Sequence, residues 1–227
     1  MTEPHAPSAA NALRNAFWVA FDHLGAVIRL NALFLLCCIP LVTIPAAAAG
    51  LMHSTRMLIE TGDSGAADFF NGIRRFGVRY TVFYGGLILI LGAAASSAAF
   101  YLYEPTFLRM TLFGWDLAGM ILLILCALYS PTVLLLKKRP AGCLKMPFVF
   151  TFANTSFTIS AFFMGVCTEA VFILSGISIV LWMFPFMALY YHFVYIEAAS
   201  RFDGQPPRYT EDRSVAKEFL IPPHNNY

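Results

Sequence analysis

The residues with catalytic potential are few, and they lie apart along the chain. Histidine occurs at His5, His23, His53, His192 and His224. Ser130 carries a hydroxyl that could act as a nucleophile, and the neighbouring pair Cys37 and Cys38 carries thiols that could do so. No histidine or acid can be assigned to any of the three as the base that activates a nucleophile. The sequence also lacks the phosphate-binding, dinucleotide-binding and H-E-x-x-H zinc motifs. We therefore expect no enzymatic activity and no bound cofactor.

Composition excludes two further classes of protein. Hydrophobic residues make up 59% of the 227 residues and charged residues only 12%, whereas a soluble domain is roughly 25% charged. The 15 Lys and Arg residues against 13 Asp and Glu leave a net charge of +2, which is too balanced for a nucleic-acid partner. The five cysteines show no spacing typical of disulfides or metal sites. The sequence indicates an integral membrane protein whose first partner is the lipid bilayer.

Long apolar stretches predict the number of membrane spans. A transmembrane helix needs about 20 mostly apolar residues. The longest stretch, 146–196, is too long for one helix and carries a single charged residue, Glu169. We place a turn at Glu169, because the carboxylate then lies in water or headgroups instead of lipid. The fold class is predicted as all-α, a polytopic transmembrane helical bundle of five spans. The predicted spans are residues 30–52, 80–103, 117–136, 146–168 and 170–196.

Basic residues predict the orientation, because Lys and Arg resist translocation across the membrane. Twelve of the 15 lie in the loop 53–79, the loop 137–145 and the tail 197–227. The other three lie on the opposite side of the predicted spans. We expect a multi-pass protein of the plasma membrane, with the N-terminus outside and the tail in the cytoplasm.

Two segments outside the spans have the periodicity of amphipathic helices. The N-terminal region, residues 1–29, holds Leu13, Phe17, Phe21, Leu24 and Ile28 at helical spacing, which predicts a helix along the membrane surface. Before span two, Phe69, Ile73, Phe76 and Tyr80 share one helical face, with Asp68 as the predicted N-cap. The chain thus divides into the N-terminal helix, a transmembrane domain over 30–196 and the tail 197–227.

Span one is predicted to break. Pro40 and Pro45 each remove a backbone donor and clash with the preceding turn, so the helix should kink between residues 39 and 46. The Thr43 hydroxyl can satisfy a freed carbonyl, and Asn31 can bond a neighbouring helix.

Small residues predict close helix packing in two places. Ala46 and Gly50 form a small-xxx-small pair that lets another helix approach. In span two, Gly85, Gly86 and Gly92 indicate a close-packing surface, either inside the monomer or between chains.

Polar residues inside the spans have two interpretations each. Those of span four could line a solute path, or bond across helices and back to their own carbonyls, which we favour; they are Thr151, Asn154, Thr155, Ser156, Thr158 and Ser160. His192, beside two tyrosines, is interpreted as an interfacial anchor in preference to a metal ligand or proton relay. Asp116 is expected at the membrane surface, just before span three.

The run LNALFLLCCIPLVTIPAAAAGL, from Leu30 to Leu51, resembles the N-terminal signature of the YesL-like family of bacterial integral membrane proteins. The matching positions are Asn31, Pro40 to Thr43 and, in the following loop, Asp68, Phe69 and Phe70. The chain departs from the commoner pattern at Pro45, before which that family often has a glycine. The resemblance implies a membrane protein without established catalytic residues, often encoded near genes of carbohydrate uptake and utilisation.

Two functions follow as hypotheses. The first is a non-catalytic accessory or regulatory component linked to carbohydrate uptake, whose partners are membrane transporter subunits or a second copy of the chain. The alternative is a small-solute transporter or channel, with a path along broken span one and polar span four. The candidate functional or structural residues are Asn31, Pro40, Thr43, Pro45, Asp68, Phe69, Phe70 and Asn154.

Overall fold

The computed structural model describes residues 8–103, 106–136, 140–176 and 181–203, and the regular structure within these ranges is helical throughout. The elements are α1 (Ala9–Asp22), α2 (Leu24–Cys37), a short 3-10 helix (Leu41–Thr43), α3 (Ile44–Thr61), α4 (Ala66–Tyr103), α5 (Phe107–Ala127), α6 (Ser130–Leu136), α7 (Pro140–Ala153), α8 (Thr155–Ser175) and α9 (Met183–Asp203). The predicted all-α fold class is confirmed.

Several of these helices suit a membrane. By length and composition, α4, α5 and α8 could each cross a bilayer. The helices α1 and α2 meet at an angle of 95° and make a fourth candidate if the bent pair counts as one span. These long apolar helices are compatible with a membrane-embedded protein.

The closest packing in the fold joins α3 to α4. A Cβ added at Gly50 would lie 2.7 Å from the Phe69 carbonyl oxygen, and one added at Gly72 would lie 2.9 Å from the Gly50 Cα. Farther along, an added Cβ at Gly77 would lie 3.2 Å from the Ala46 Cβ. The two backbones can approach this closely only because both helices carry small residues at the contact. The packing role predicted for Ala46 and Gly50 is confirmed.

The predicted amphipathic helix and span two are one continuous helix. The 38 residues of α4 extend over about 57 Å at 1.5 Å per residue. Proline is absent from 66–103, so nothing interrupts the backbone hydrogen bonds where the amphipathic face gives way to the apolar run. The helix begins at Ala66, and Asp68 lies within its first turn, where its carboxylate accepts the Gly65 N–H at 3.0 Å. Asp68 is therefore not the N-cap residue, because it lies inside the helix and its side chain accepts a backbone N–H that precedes the first turn.

The N-terminal helix is buried through a different face from the one that its aromatic residues suggest. Ala12, Ala16 and Ala20 are fully buried, and α1 packs mainly against α9. Phe17 and Phe21 remain 44% and 59% exposed. Small alanines let the two helices approach closely, which leaves the aromatic side chains on the outer side of α1.

The third and fourth predicted spans are placed differently in the structure. The candidate span α5 begins at Phe107, ten residues before the predicted start at 117. It ends at Ala127, and a separate helix, α6, begins at Ser130. Pro131 stands in the first turn of α6, where its missing N–H costs no hydrogen bond. Asn154 separates α7 from α8, with φ −128° and ψ 43°. Hydrophobicity alone does not register these interruptions, because the apolar run continues through them.

Two acids expected at turns or surfaces lie within helices. Glu169 is inside α8, and the helix continues to Ser175, where Gly176 with φ 61° ends it. The turn expected at Glu169 is therefore wrong by about two helical turns. Asp116 lies within α5, where it accepts a hydrogen bond from the Ser97 hydroxyl of α4. Each acid can lie inside an apolar helix because its carboxylate accepts a hydrogen bond from a hydroxyl group on a neighbouring helix.

Candidate functional site

A cavity of about 520 Å³ lies between helices, with walls contributed by α2 to α6, α8 and α9. We call it the central cavity. Its walls are mostly aromatic and aliphatic side chains, among them Phe34, Tyr80, Tyr84, Phe162, Phe184 and Met187. Cavities of this kind, with few polar groups in an apolar wall, are where small molecules bind in proteins.

Glu169 is the single carboxylate among the described residues that line the central cavity. The side chain is half-buried, and its Oε1 accepts a hydrogen bond from the Tyr191 hydroxyl at 3.4 Å. An ionised carboxylate in an apolar cavity is costly unless it is paired, so this group favours a cationic or hydroxyl-bearing molecule beside it. Binding of this sort is the chemistry that the cavity can support.

His192 links three helices next to the central cavity. Its Nε2 donates to the Met52 carbonyl at 2.9 Å, because a carbonyl oxygen can only accept. Its Nδ1 is then left to accept from the Thr132 hydroxyl at 3.3 Å. The side chain is fully buried, so the predicted interfacial anchor is wrong. The imidazole ties α9 to α3 and α6.

The break in span one is present, as the two prolines predict. The helix α2 ends at Cys37, and α3 begins at Ile44 after the short 3-10 helix. The Thr43 hydroxyl donates to the Pro40 carbonyl at 2.6 Å and also to the Cys37 carbonyl. The predicted role of Thr43, to satisfy a carbonyl freed by the break, is confirmed. Pro40 and Thr43 are exposed, while Pro45 stands in the first turn of α3 and lines the central cavity.

The remaining candidate residues are spread over the molecule. Asn31 is fully buried within α2, and Phe69 is fully buried where α4 meets Gly50 of α3. Phe70 is half exposed, with its ring edge-on to that of Phe69 at 5.6 Å between centroids. Asn154 is buried between α7 and α8 and does not line the central cavity. Of the eight candidates, Pro45 alone contributes to the cavity wall.

Threonine hydroxyls of predicted span four bond to carbonyls of their own helix and to a neighbouring element. Thr151 donates to the Pro147 carbonyl at 2.8 Å, and Thr158 donates to the Asn154 carbonyl at 2.9 Å. The Thr158 hydroxyl also lies 2.7 Å from the Tyr129 hydroxyl. These contacts agree with the interpretation that such residues bond to their own carbonyls and across helices.

Three residues of the central region lie outside the set of site residues that the sequence predicts. The sequence predicts a surface turn for Glu169 and the membrane interface for His192 and the tyrosines beside it, one of which is Tyr191. The one available signal was Gly176, because glycine is the residue that most readily ends a helix in the left-handed region. A turn placed there puts Glu169 inside a helix.

The described ranges contain no group of three His, Cys, Asp or Glu residues near enough to one another to hold a metal ion.

Comparisons of the chain with protein-family models, with curated proteins and with solved structures found no match. The central cavity and the exposed faces of α4 are the observations that bear on function.

Proposed function

We propose that the chain is a non-catalytic membrane component that assembles with another membrane subunit through α4, and that this subunit belongs to a carbohydrate uptake system. The link to carbohydrate uptake rests on the resemblance to the YesL-like family at Asn31, at Pro40 to Thr43 and at Asp68 to Phe70. The proposed assembly rests on the packing of α4.

One face of α4 carries two glycines beside which the described chain leaves open space. This open face consists of Gly85, Leu89, Gly92 and Ser96, which share one side of the helix by their spacing. A Cβ added at Gly85 or Gly92 would meet no heavy atom within 4 Å, and Leu89 is 75% exposed. By contrast, a Cβ added at Gly50 would lie 2.7 Å from the Phe69 carbonyl oxygen.

The contrast between the two glycine sets supports assembly between chains. A glycine inside a helix destabilises it by about 1 kcal/mol relative to alanine. At Gly50 and Gly72, close contact between α3 and α4 offsets this cost. At Gly85 and Gly92 no such contact exists among the described residues, and the proposed partner helix supplies it, because association of helices in lipid depends on small residues at the contact.

The proposal includes the finer topology. It places the last span in α9, up to Ile196, in a bacterial plasma membrane. The loops 53–79 and 137–145 and the tail 197–227 face the cytoplasm, since they hold 12 of the 15 basic residues. The start of α1 lies on the same side, because the Ser8 backbone N–H contacts Glu197 of α9. The expected outside position of the N-terminus, and with it the odd count of five spans, is therefore not retained. In this arrangement α4 presents its open face to the lipid-embedded surface of a partner.

Affinity purification from native membranes tests the proposal, with mass spectrometry of the proteins that co-purify. We expect a carbohydrate transporter subunit in near-equal amount with the wild-type chain. Gly92→Leu should remove that subunit, because the side chain blocks close approach. The matched control is Ala95→Leu, a change at an exposed alanine on a different side of the same helix. Equal recovery with both variants, or a chain that purifies alone, would contradict the proposal.

A second candidate function, transport of a small solute, rests on the central cavity and on Glu169 within it. The exposed Pro40 and Thr43 and the buried Asn154 do not line this cavity, so the path would instead follow its apolar wall past Glu169. Solute flux into liposomes containing the purified chain tests this candidate. Flux that Glu169→Gln abolishes would favour transport, and absence of flux would favour the accessory function.

A further inference from the structure

A second cavity, of about 670 Å³, lies along α4 and is bounded by α5, α6 and α7. We call it the arginine groove. The residues that α4 contributes include Arg75, Arg79, Val82, Gly86 and Ile90, which recur at intervals of three or four along one side of the helix. This side is adjacent to the open face but distinct from it.

The arginine groove is charged at one end and apolar along the rest. Arg75 and Arg79 lie one helical turn apart, and α4 carries no charged residue from Tyr80 to Tyr103. Leu123, Leu134 and Phe148 contribute to the facing wall. Among the described residues that line the groove, none is acidic. The groove therefore suits a molecule with an anionic head and an apolar chain.

Both guanidinium groups are held at the charged end. The Arg79 Nη1 donates to the Leu134 carbonyl of α6 at 3.0 Å, which fixes this side chain between two helices. The Arg75 guanidinium lies over the Phe76 ring, 5.3 Å from its centroid, and is exposed. Contact with a ring face occupies none of the five N–H donors of a guanidinium group. Those of Arg75 can bind oxygens of a phosphate, which arginine recognises with two parallel hydrogen bonds.

The dimensions of the arginine groove match one leaflet of a bilayer. From Arg79 to Ile90 the helix rises about 17 Å, close to half of the roughly 30 Å hydrocarbon thickness. The arginines precede the first residue of the uncharged run by at most five positions, which places them at the depth of lipid headgroups. A lipid molecule in the surrounding membrane would thus meet the cationic end and the apolar wall at the same time.

We propose that the arginine groove is a binding site for an anionic phospholipid, with the phosphate on Arg75 and Arg79 and an acyl chain against the wall formed by Val82, Gly86 and Ile90. The bound lipid fills the space between α4 and the helices α5 to α7. This site is independent of the partner surface proposed above, and either can fail without the other.

The headgroup part of the proposal is tested on the purified full-length chain by native mass spectrometry after exchange into phosphatidylglycerol or phosphatidylcholine. We expect retained phosphatidylglycerol and at least ten-fold weaker binding of it by R75Q/R79Q, since each arginine contributes roughly five-fold to affinity for an anionic surface. Arg74→Gln is the matched control, because Arg74 lies on the same turn but does not line the groove. A loss of less than two-fold with Arg75→Gln alone, or equal retention of the two lipids, would overturn the proposal.

A second pair of variants tests the acyl-chain part. Gly86→Leu fills the apolar wall, and Gly85→Leu adds the same side chain outside the groove. An added Cβ meets no atom within 4 Å at either position, so both variants should fold. Circular dichroism and gel filtration of the detergent-solubilised chains check that they do. We expect Gly86→Leu to reduce bound phosphatidylglycerol at least five-fold and Gly85→Leu to leave it unchanged; equal effects would overturn the assignment.

Discussion

Glu197 is a carboxylate buried where α9 meets the start of α1. It is 1% exposed, and burial raises its pKa to about 7, although the Ser8 backbone N–H and Arg14 act in the opposite direction. The pKa of an ordinary glutamate is 4.5, so the folded chain binds this proton more tightly than the unfolded chain does. The resulting contribution to stability is complete below pH 4.5 and is lost as the pH rises through about 7.

We therefore predict that the chain is more stable at pH 5 than at pH 8, and that Glu197→Gln removes roughly 2 to 3 kcal/mol of this difference. The neutral amide fits the buried position at either pH. Thermal unfolding in detergent at the two pH values measures the effect. Glu60→Gln is the control, because Glu60 is a partly buried carboxylate that has an ion-pair partner, Arg56, within α3. An unchanged pH dependence in Glu197→Gln would contradict the assignment.

Thr43 stabilises the break in span one through its hydroxyl. Thr43→Val removes the donor to the Cys37 and Pro40 carbonyls and should lower the free energy of unfolding by about 1 kcal/mol. Thr43→Ser keeps the donor and should retain most of that stability. We also expect Thr43→Val and Pro40→Ala to impair folding more than Glu169→Gln does. Unfolding curves of the four variants rank them, and the reverse order would mean that Glu169 has the structural role.

At the scale of elements, the contact between α3 and α4 depends on glycine. Gly50→Ala and Gly72→Ala should each destabilise the chain by about 1 to 3 kcal/mol, because the new methyl would lie 2.7 Å from backbone or side-chain atoms. Gly85→Ala, on the open face, should have no cost and could add up to about 1 kcal/mol through helix propensity. Thermal unfolding of the three variants in one detergent measures this, and equal effects at all three sites would contradict the packing.

The sequence predicts those elements that have a local chemical cause. The prolines and Thr43 fix the break after α2, and the pair Ala46 and Gly50 fixes the close contact of α3. The continuity of α4 and the end of α8 at Gly176 do not follow from hydropathy, because an apolar run stays apolar where a helix ends. Hydropathy records that a segment is apolar and not which residue ends the helix.

The candidate site could be predicted only in part, for a related reason. The sequence predicts Pro45 because proline interrupts a helix wherever it stands in the helix interior. Glu169 and Tyr191 form their contact across two helices, 22 residues apart in the sequence, and the hydropathy of the segment does not show that these two residues face each other. A fully buried polar residue such as His192 is likewise recognised only when its partners on α3 and α6 are in place.

At the scale of the whole molecule, α4 has three uses along its length. Its first third packs on α3 through Gly72 and Gly77, and another side carries Arg75 and Arg79 at the mouth of the arginine groove. Its second half presents the open face, with no contact at the glycines. A helix built in this way holds the rest of the chain at one end and is available to a partner and to lipid at the other.

The measurement that tests the assembly most directly is photo-crosslinking in native membranes from a benzoylphenylalanine placed at Ser96, compared with one placed at Ala95. The open face predicts a specific crosslink from position 96 to a membrane transporter subunit, identified by mass spectrometry, and little or none from position 95. Crosslinks to lipid alone from position 96, or the same products from both positions, would contradict an accessory role through α4.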